Sequence, residues 1–135
     1  MARIGLVAHD DKKDDLCRWA EVHRHKLSEH ELWGTGTTGS RVMAATGMSV
    51  KLLKSGPLGG DQQLGAMICE GRLDDLIFFI DPLSAQPHDV EVKALTRLAT
   101  LNDVPLPNNT STSDTQIAAI ALSAQDLLVA PSGRL

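Results

Sequence analysis

At 135 residues the chain fits one globular domain spanning 1–135, long enough to bury a substantial core. Hydrophobic residues make up 42% and charged residues 22%, yet no apolar run reaches the roughly 18–20 residues of a membrane span. A formal net charge of −4 and 3% aromatic residues, with no Tyr, argue against nucleic acid and membrane surfaces as partners.

The N-terminus, MARIGLVAHDD, holds one short apolar run and then turns acidic, without a cleavage-site pattern, so a cytoplasmic location is expected. RIGLVA (3–8) reads as a buried strand. Residues 14–30 place Leu16, Trp19, Ala20, His23 and Leu27 at helical spacing, with His23, His25 and His30 expected to be solvated. ELW (31–33) reads as a strand, SRVMAATG (40–47) as a short helix stopped by Gly47, and VKLLK (50–54) as a third strand. A helix over 62–72 follows, then DLIFFI (75–80) as the most strand-like segment and a helix over 90–103. VPLP (104–107) is expected as a fifth strand. Ser113 with Gln116 suggests a capping box for the last helix, and DLLVAPSGRL suggests a final short strand and tail. Cys17 and Cys69 read as small buried hydrophobes, with no disulfide or zinc pattern.

Five alternations of strand and helix predict a three-layer α/β domain: a mostly parallel, five-stranded, doubly wound, Rossmann-like sheet with helices on both faces. The polar residues then collect at one edge, because ligands of open parallel sheets bind outside the carboxyl ends of the strands. The five strands are followed in turn by His9-Asp10 with Lys13, by Thr35 to Gly39, by Ser55 to Asp61, by Asp81 with His88 to Glu91, and by Asn108 to Thr110.

Gly34, Gly36 and Gly39 spell G-x-G-x-x-G, the pattern of a dinucleotide loop. That reading needs a carboxylate about 20 residues on, and residues 32–60 contain no Asp or Glu. A Thr-rich loop at a helix start suits a single phosphate instead, and the second glycine loop, SGPLGG, strengthens that reading. Asp61 reads either as a helix cap or as a general base in a desolvated crevice. His9 and His88, each before an Asp, read either as structural histidines bonded to that neighbour or as members of a metal cluster, although no metal-binding spacing is present. Lys13 is a surface lysine or a phosphate ligand. Asp81 is a turn carboxylate or the partner of a histidine.

With these loops assembled, the chain resembles the methylglyoxal synthase family. The resemblance rests on GLVAHDDKK, TGTTG, SGPLGGDQQ, FFIDPLSAQPHD and VKALTRLAT, in order, from near residue 3 to near residue 115. SGPLGGDQQ and DPLSAQPHD are its most specific parts. The family resemblance implies a lyase that converts dihydroxyacetone phosphate to methylglyoxal and inorganic phosphate, with no metal and no organic cofactor. It implies Asp61, His88 and Asp10 as catalytic residues. It implies substrate binding by His9, Lys13, Thr35, Gly36, Thr37, Thr38, Ser55, Gly56 and His88, with Asp81 and Glu91 in support. It further implies a homohexamer, inhibition by phosphate and a place in a glycolytic bypass.

The chain departs from the family pattern at Glu91, where Asp is more usual. It departs again at VAPSGRL, where relatives often continue with a basic tail, so that Arg134 is the candidate left for phosphate sensing. Two other functions use the same residue types: a phosphate-sensing module, and a metal-dependent phosphohydrolase.

Overall fold

The computed structural model describes residues 1–83 and 89–129. Four parallel strands form one sheet in the order β3-β2-β1-β4. They are β1 (Arg3–Ala8), β2 (Glu31–Gly34), β3 (Lys51–Leu52) and β4 (Asp75–Phe79). Central β1 pairs with β2 from Arg3↔Glu31 to Leu6↔Gly34 and with β4 from Ile4↔Asp75 to Ala8↔Phe79. Among the described residues six α-helices surround the sheet: α1 (Lys13–Val22), α2 (Arg24–Leu27), α3 (Gly36–Thr46), α4 (Gly60–Cys69), α5 (Asp89–Leu101) and α6 (Thr110–Val129).

The two-residue period of the strands sorts the core into two halves. Ile4, Leu6, Ala8, Ile77 and Phe79 pack with Leu16 and Trp19 of α1, Val42 of α3 and Ile117 of α6. Val7, Leu76 and Phe78 pack on the other face with Leu64 and Ile68 of α4 and Leu95 and Ala99 of α5. Each buried Leu, Ile, Val or Phe side chain among these contributes about 1.5–3 kcal/mol relative to exposure. The three-layer α/β architecture is therefore the expected one.

The expected fifth strand is not formed as a regular one. Residues 104–108 do run alongside β4, and Leu76 N and Phe78 N each donate to the carbonyls of Pro105 and Pro107 at 3.0 Å. Neither proline has an N–H to return, so the ladder is bonded in one direction only.

The capping box is corrected as well. The last helix begins at Thr110, three residues before the expected cap. Asn109 serves as its cap instead, its Oδ1 accepting from Thr112 N at 2.9 Å and from Thr112 Oγ1 at 2.7 Å. Ser113 lies inside the helix and is fully buried, its hydroxyl without a hydrogen bond among the described residues. Gln116 reaches across to Asp75. Residues 126–129 continue α6 rather than forming a strand, and Arg134 lies outside the described residues.

The long first helix breaks at His23. That residue is not simply solvated: its Nε2 lies 2.8 Å from Asp114 Oδ1, the same oxygen that accepts from Trp19 Nε1 at 2.9 Å. These donors, Trp19 first, hold the Asp114 carboxyl below its ordinary range. His30 accepts from Ala2 N at 3.0 Å through Nδ1, and burial pushes its pKa down. Cys17 is half-buried, and Cys69 is exposed where a buried position was expected.

Candidate active site

At the carboxyl edge of the sheet a cavity of about 420 Å³ opens between the ends of β1, β2 and β3. His9, Asp10, Lys13, Thr35, Thr37, Thr38, Ser55, Gly56, Asp61 and Asp81 all line it, although they span more than half of the chain. Gly36 lies between two of the lining threonines, at the first residue of α3. Glu91 lies in the first turn of α5, and its Oε2 is buried without a hydrogen bond among the described residues. His88 lies outside the described residues. The cavity also takes in Asp11 and Pro57, residues to which the sequence assigns no role of their own. Asp11 could have been suspected, since it shares the single 3-10 turn Asp10–Lys12 with Asp10.

The threonine turn is not a loop before a helix but the first turn of α3 itself, which starts at Gly36 with Thr35 in extended conformation just before it. A helix N-terminus with its amides toward a cavity carries a partial positive charge suited to an anion. The glycines of the G-x-G-x-x-G pattern serve close packing. A Cβ on Gly34 would stand 2.9 Å from the Gly39 Cα, and one on Gly39 would stand 2.5 Å from Leu52 Cδ2. They let the end of β2 touch α3, and the cavity-lining Thr35 and Thr38 are both buried.

The second glycine loop is a 3-10 turn, Gly56–Leu58, leading into α4. Ser55 O accepts from Leu58 N at 3.0 Å and Gly60 N at 2.9 Å, which folds the loop back on itself. Gly60 is obligatory on steric grounds, since a Cβ there would stand 1.9 Å from Lys54 O. Asp61 follows at once, only 9% exposed. Its carboxylate lies against Gly56, with Oδ1 3.5 Å from where a Cβ on that glycine would be. The cap of α4 is Gly59, without a side-chain bond, so Asp61 does not act as the helix cap.

Lys13 is buried rather than a surface lysine. Its Nζ donates to Asp10 Oδ1 at 2.7 Å and to Ala8 O at 3.0 Å. An ammonium has three donor hydrogens, and among the described residues these bonds occupy two. The His9 and Phe78 rings meet in a T-shaped contact, and His9 Nδ1 accepts from the main-chain N–H of Asp81 at 2.8 Å. The neutral ring therefore carries its proton on Nε2. The Asp81 carboxylate caps its own turn, Oδ1 accepting from Leu83 N at 3.0 Å, so this residue holds His9 through its backbone. Among the described residues, no group of three or more His, Cys, Asp or Glu side chains is placed to hold a metal ion.

The arrangement joins two turns of glycines and hydroxyl side chains, one buried ammonium and one buried carboxylate in a single crevice. Comparisons with known proteins agree in one direction. The family model described as MGS-like domain matches residues 15–108. A methylglyoxal synthase of Leptospira interrogans is 56% identical over 117 residues, covering 87% of this chain and 79% of that protein. One of Brucella anthropi is 53% identical over 119 residues, covering 87% of this chain and 95% of that protein. The crystal structure of methylglyoxal synthase from Elizabethkingia anophelis NUHP1 superposes with a TM-score of 0.82 at 50% identity, over 86% of this chain and 76% of that one. With GLVAHDDKK, TGTTG and SGPLGGDQQ contributing to one cavity and identity at this level over most of its length, the chain belongs to the methylglyoxal synthase family.

Proposed function

We propose that this chain converts dihydroxyacetone phosphate to methylglyoxal and inorganic phosphate, and that the cavity at the carboxyl edge of the sheet is where it does so. The observation that carries the residue roles is the buried Asp61 carboxylate packed against Gly56, one loop residue from Ser55. A base held beside a phosphate grip meets the carbon next to the substrate ketone at short range.

Asp61 takes the proton from the hydroxymethyl carbon, and the freed electron pair makes the double bond of an enediolate. The terminal hydroxyl then gives up its proton and becomes the aldehyde, the double bond shifts toward the phosphate-bearing carbon, and phosphate leaves with the bonding pair of the broken C–O bond, taking up that proton. The remaining enol takes up a proton at its terminal carbon to become methylglyoxal. Hydrogen-bond donors stabilise the enediolate oxygens. His9, protonated at Nε2 when neutral, serves as one such donor, and His88 as another. The first turn of α3, from Thr35 to Thr38, and Ser55 with Gly56 grip the phosphate. Lys13 adds a charge held in place by Asp10, while Asp81 and Glu91 support the surrounding network. No metal and no organic cofactor takes part in these steps. The whole of 1–135 works as one domain, in a cytoplasmic homohexamer inhibited by phosphate. Its reaction forms a bypass that releases phosphate from a glycolytic intermediate.

The test is to measure methylglyoxal and phosphate from dihydroxyacetone phosphate with excess chelator present. Equimolar products are expected. Phosphate with dihydroxyacetone would mean hydrolysis, and phosphate binding without turnover would mean a sensor.

A further inference from the structure

The loop that carries Ser55 and Gly56 and the helix that carries Asp61 must keep a fixed offset if a gripped phosphate is to set the reacting carbon beside the base. The downstream side of the loop is fixed by its own main chain, through the two amides that donate to Ser55 O. The upstream side is fixed by a side chain. Lys54 N donates to Gln63 Oε1 at 2.8 Å, while Lys54 O accepts from Gly36 N at 3.3 Å. A single residue, Lys54, is thus tied through its N–H to α4 and through its carbonyl to the first residue of α3. Gln63 sits two residues after Asp61 on α4, roughly 200° further around the helix. It is not among the described residues that line the cavity.

We infer that Gln63 is a positioning residue. It sets the register of the phosphate-gripping loop against the base-bearing helix, and through it the distance between Asp61 and the carbon of a phosphorylated α-hydroxyketone. The inference rests on the function proposed above. A displacement of about 1 Å between reacting groups can cost on the order of 100-fold in rate. The grip itself has other supports: Ser55 O keeps both of its donors, and the first turn of α3 is closed by its own main chain, Gly39 N donating to Thr35 O at 2.6 Å. Loss of the Gln63 acceptor therefore separates turnover from phosphate binding, which a general loosening of the loop would not do.

The experiment compares wild type with Gln63→Met, Gln63→Ala and Gln63→Glu in the full chain, measuring kcat and KM with dihydroxyacetone phosphate and the Kd of inorganic phosphate. Met and Ala remove the acceptor at a half-buried helical position where both are good helix formers; Glu keeps an oxygen at the same reach. In Gln63→Met and Gln63→Ala, kcat is expected to fall roughly tenfold or more while phosphate Kd stays within about twofold. Gln63→Glu is expected to recover kcat to within about threefold of wild type. Unchanged kcat in the acceptor-free variants overturns the inference. So does a parallel loss of kcat and phosphate affinity, or a Gln63→Glu variant no better than Gln63→Met. A wild-type chain that makes no methylglyoxal overturns the function itself and this role with it. An active wild type beside unaffected variants overturns the role of Gln63 alone.

Discussion

Two buried carboxylates mark opposite ends of the same sheet. Asp61 lies at the carboxyl edge, 9% exposed, and Asp75 opens β4 at the amino edge, 3% exposed. By burial alone Asp75 is the better candidate for unusual chemistry. Burial pushes its pKa from 3.8 up to about 6, with the Gln116 hydrogen bond pulling the other way. Yet Asp75 has nothing to act on, because Gln116 Nε2 stands 2.5 Å from Oδ1 and closes the space in front of it. Asp61 faces a cavity wide enough for a phosphorylated triose. Open space in front of the carboxylate, rather than burial, distinguishes the two ends.

Exchanging either carboxylate for its amide tests that contrast. The largest effect is expected for Asp61→Asn, with turnover falling roughly 1,000-fold or more while phosphate binding survives. Near-normal rates in that variant would remove Asp61 from its role and erase the distinction. Next comes Gln116→Leu, which leaves the buried Asp75 carboxylate without its donor. A loss of about 2 kcal/mol in urea unfolding is expected, with activity per folded molecule unchanged. The Asp75 pKa should rise further in the same variant, since the bond that lowers it is gone.

Asp75→Asn should act in the opposite direction. Folded Asp75 holds its proton up to about pH 6, whereas the unfolded chain gives it up near 3.8. Between those values the folded state binds more protons, so stability rises as pH falls, and above them the buried charge weighs fully against the fold. At pH 7 the amide is expected to raise stability by on the order of 2 kcal/mol and to flatten the pH dependence in that window. A variant less stable than wild type at pH 7 would show that the charge is needed at the amino edge as well.

The elements carried by continuous local pattern could be read directly. RIGLVA and DLIFF each run apolar after one charged first residue and form the paired strands β1 and β4, and α5 keeps its apolar stripe within two residues of the expected bounds. Where distant groups decide, the sequence is silent. Gly36 to Gly39 are poor helix formers, and they become a helical turn because β2 and Leu52 press against the glycines. Ser113 and Gln116 have the spacing of a cap, but Asn109 reaches Thr112 first and frees Gln116 for Asp75. Asp74 and Asp75 look like one acidic pair. One bonds to Arg3 at the surface, where that contact lowers its pKa, and the other is buried.

The site was legible as a set of loops because a parallel sheet brings its carboxyl ends together whatever lies between them. Its internal bonds were not legible. That the Asp81 amide, rather than its carboxylate, holds His9 depends on a contact across 72 positions. Gln63 left one local trace, its place next to Gln62 directly behind Asp61, and nothing in that trace distinguishes it from an exposed helical residue.

The seam beside β4 carries a dynamic consequence. Leu76 and Phe78 donate outward to prolines that donate nothing back, while by strand alternation the amide of Ile77 turns toward β1. The two sets of protons in one strand are therefore guarded by doors of different strength. Deuterium uptake at Leu76 and Phe78 is expected to run roughly tenfold faster than at Ile77. Equal uptake would mean that the seam opens only when the whole sheet does. A faster rate would make those two amides a local gauge of how often residues 104–108, which lead into α6, lift away from the core.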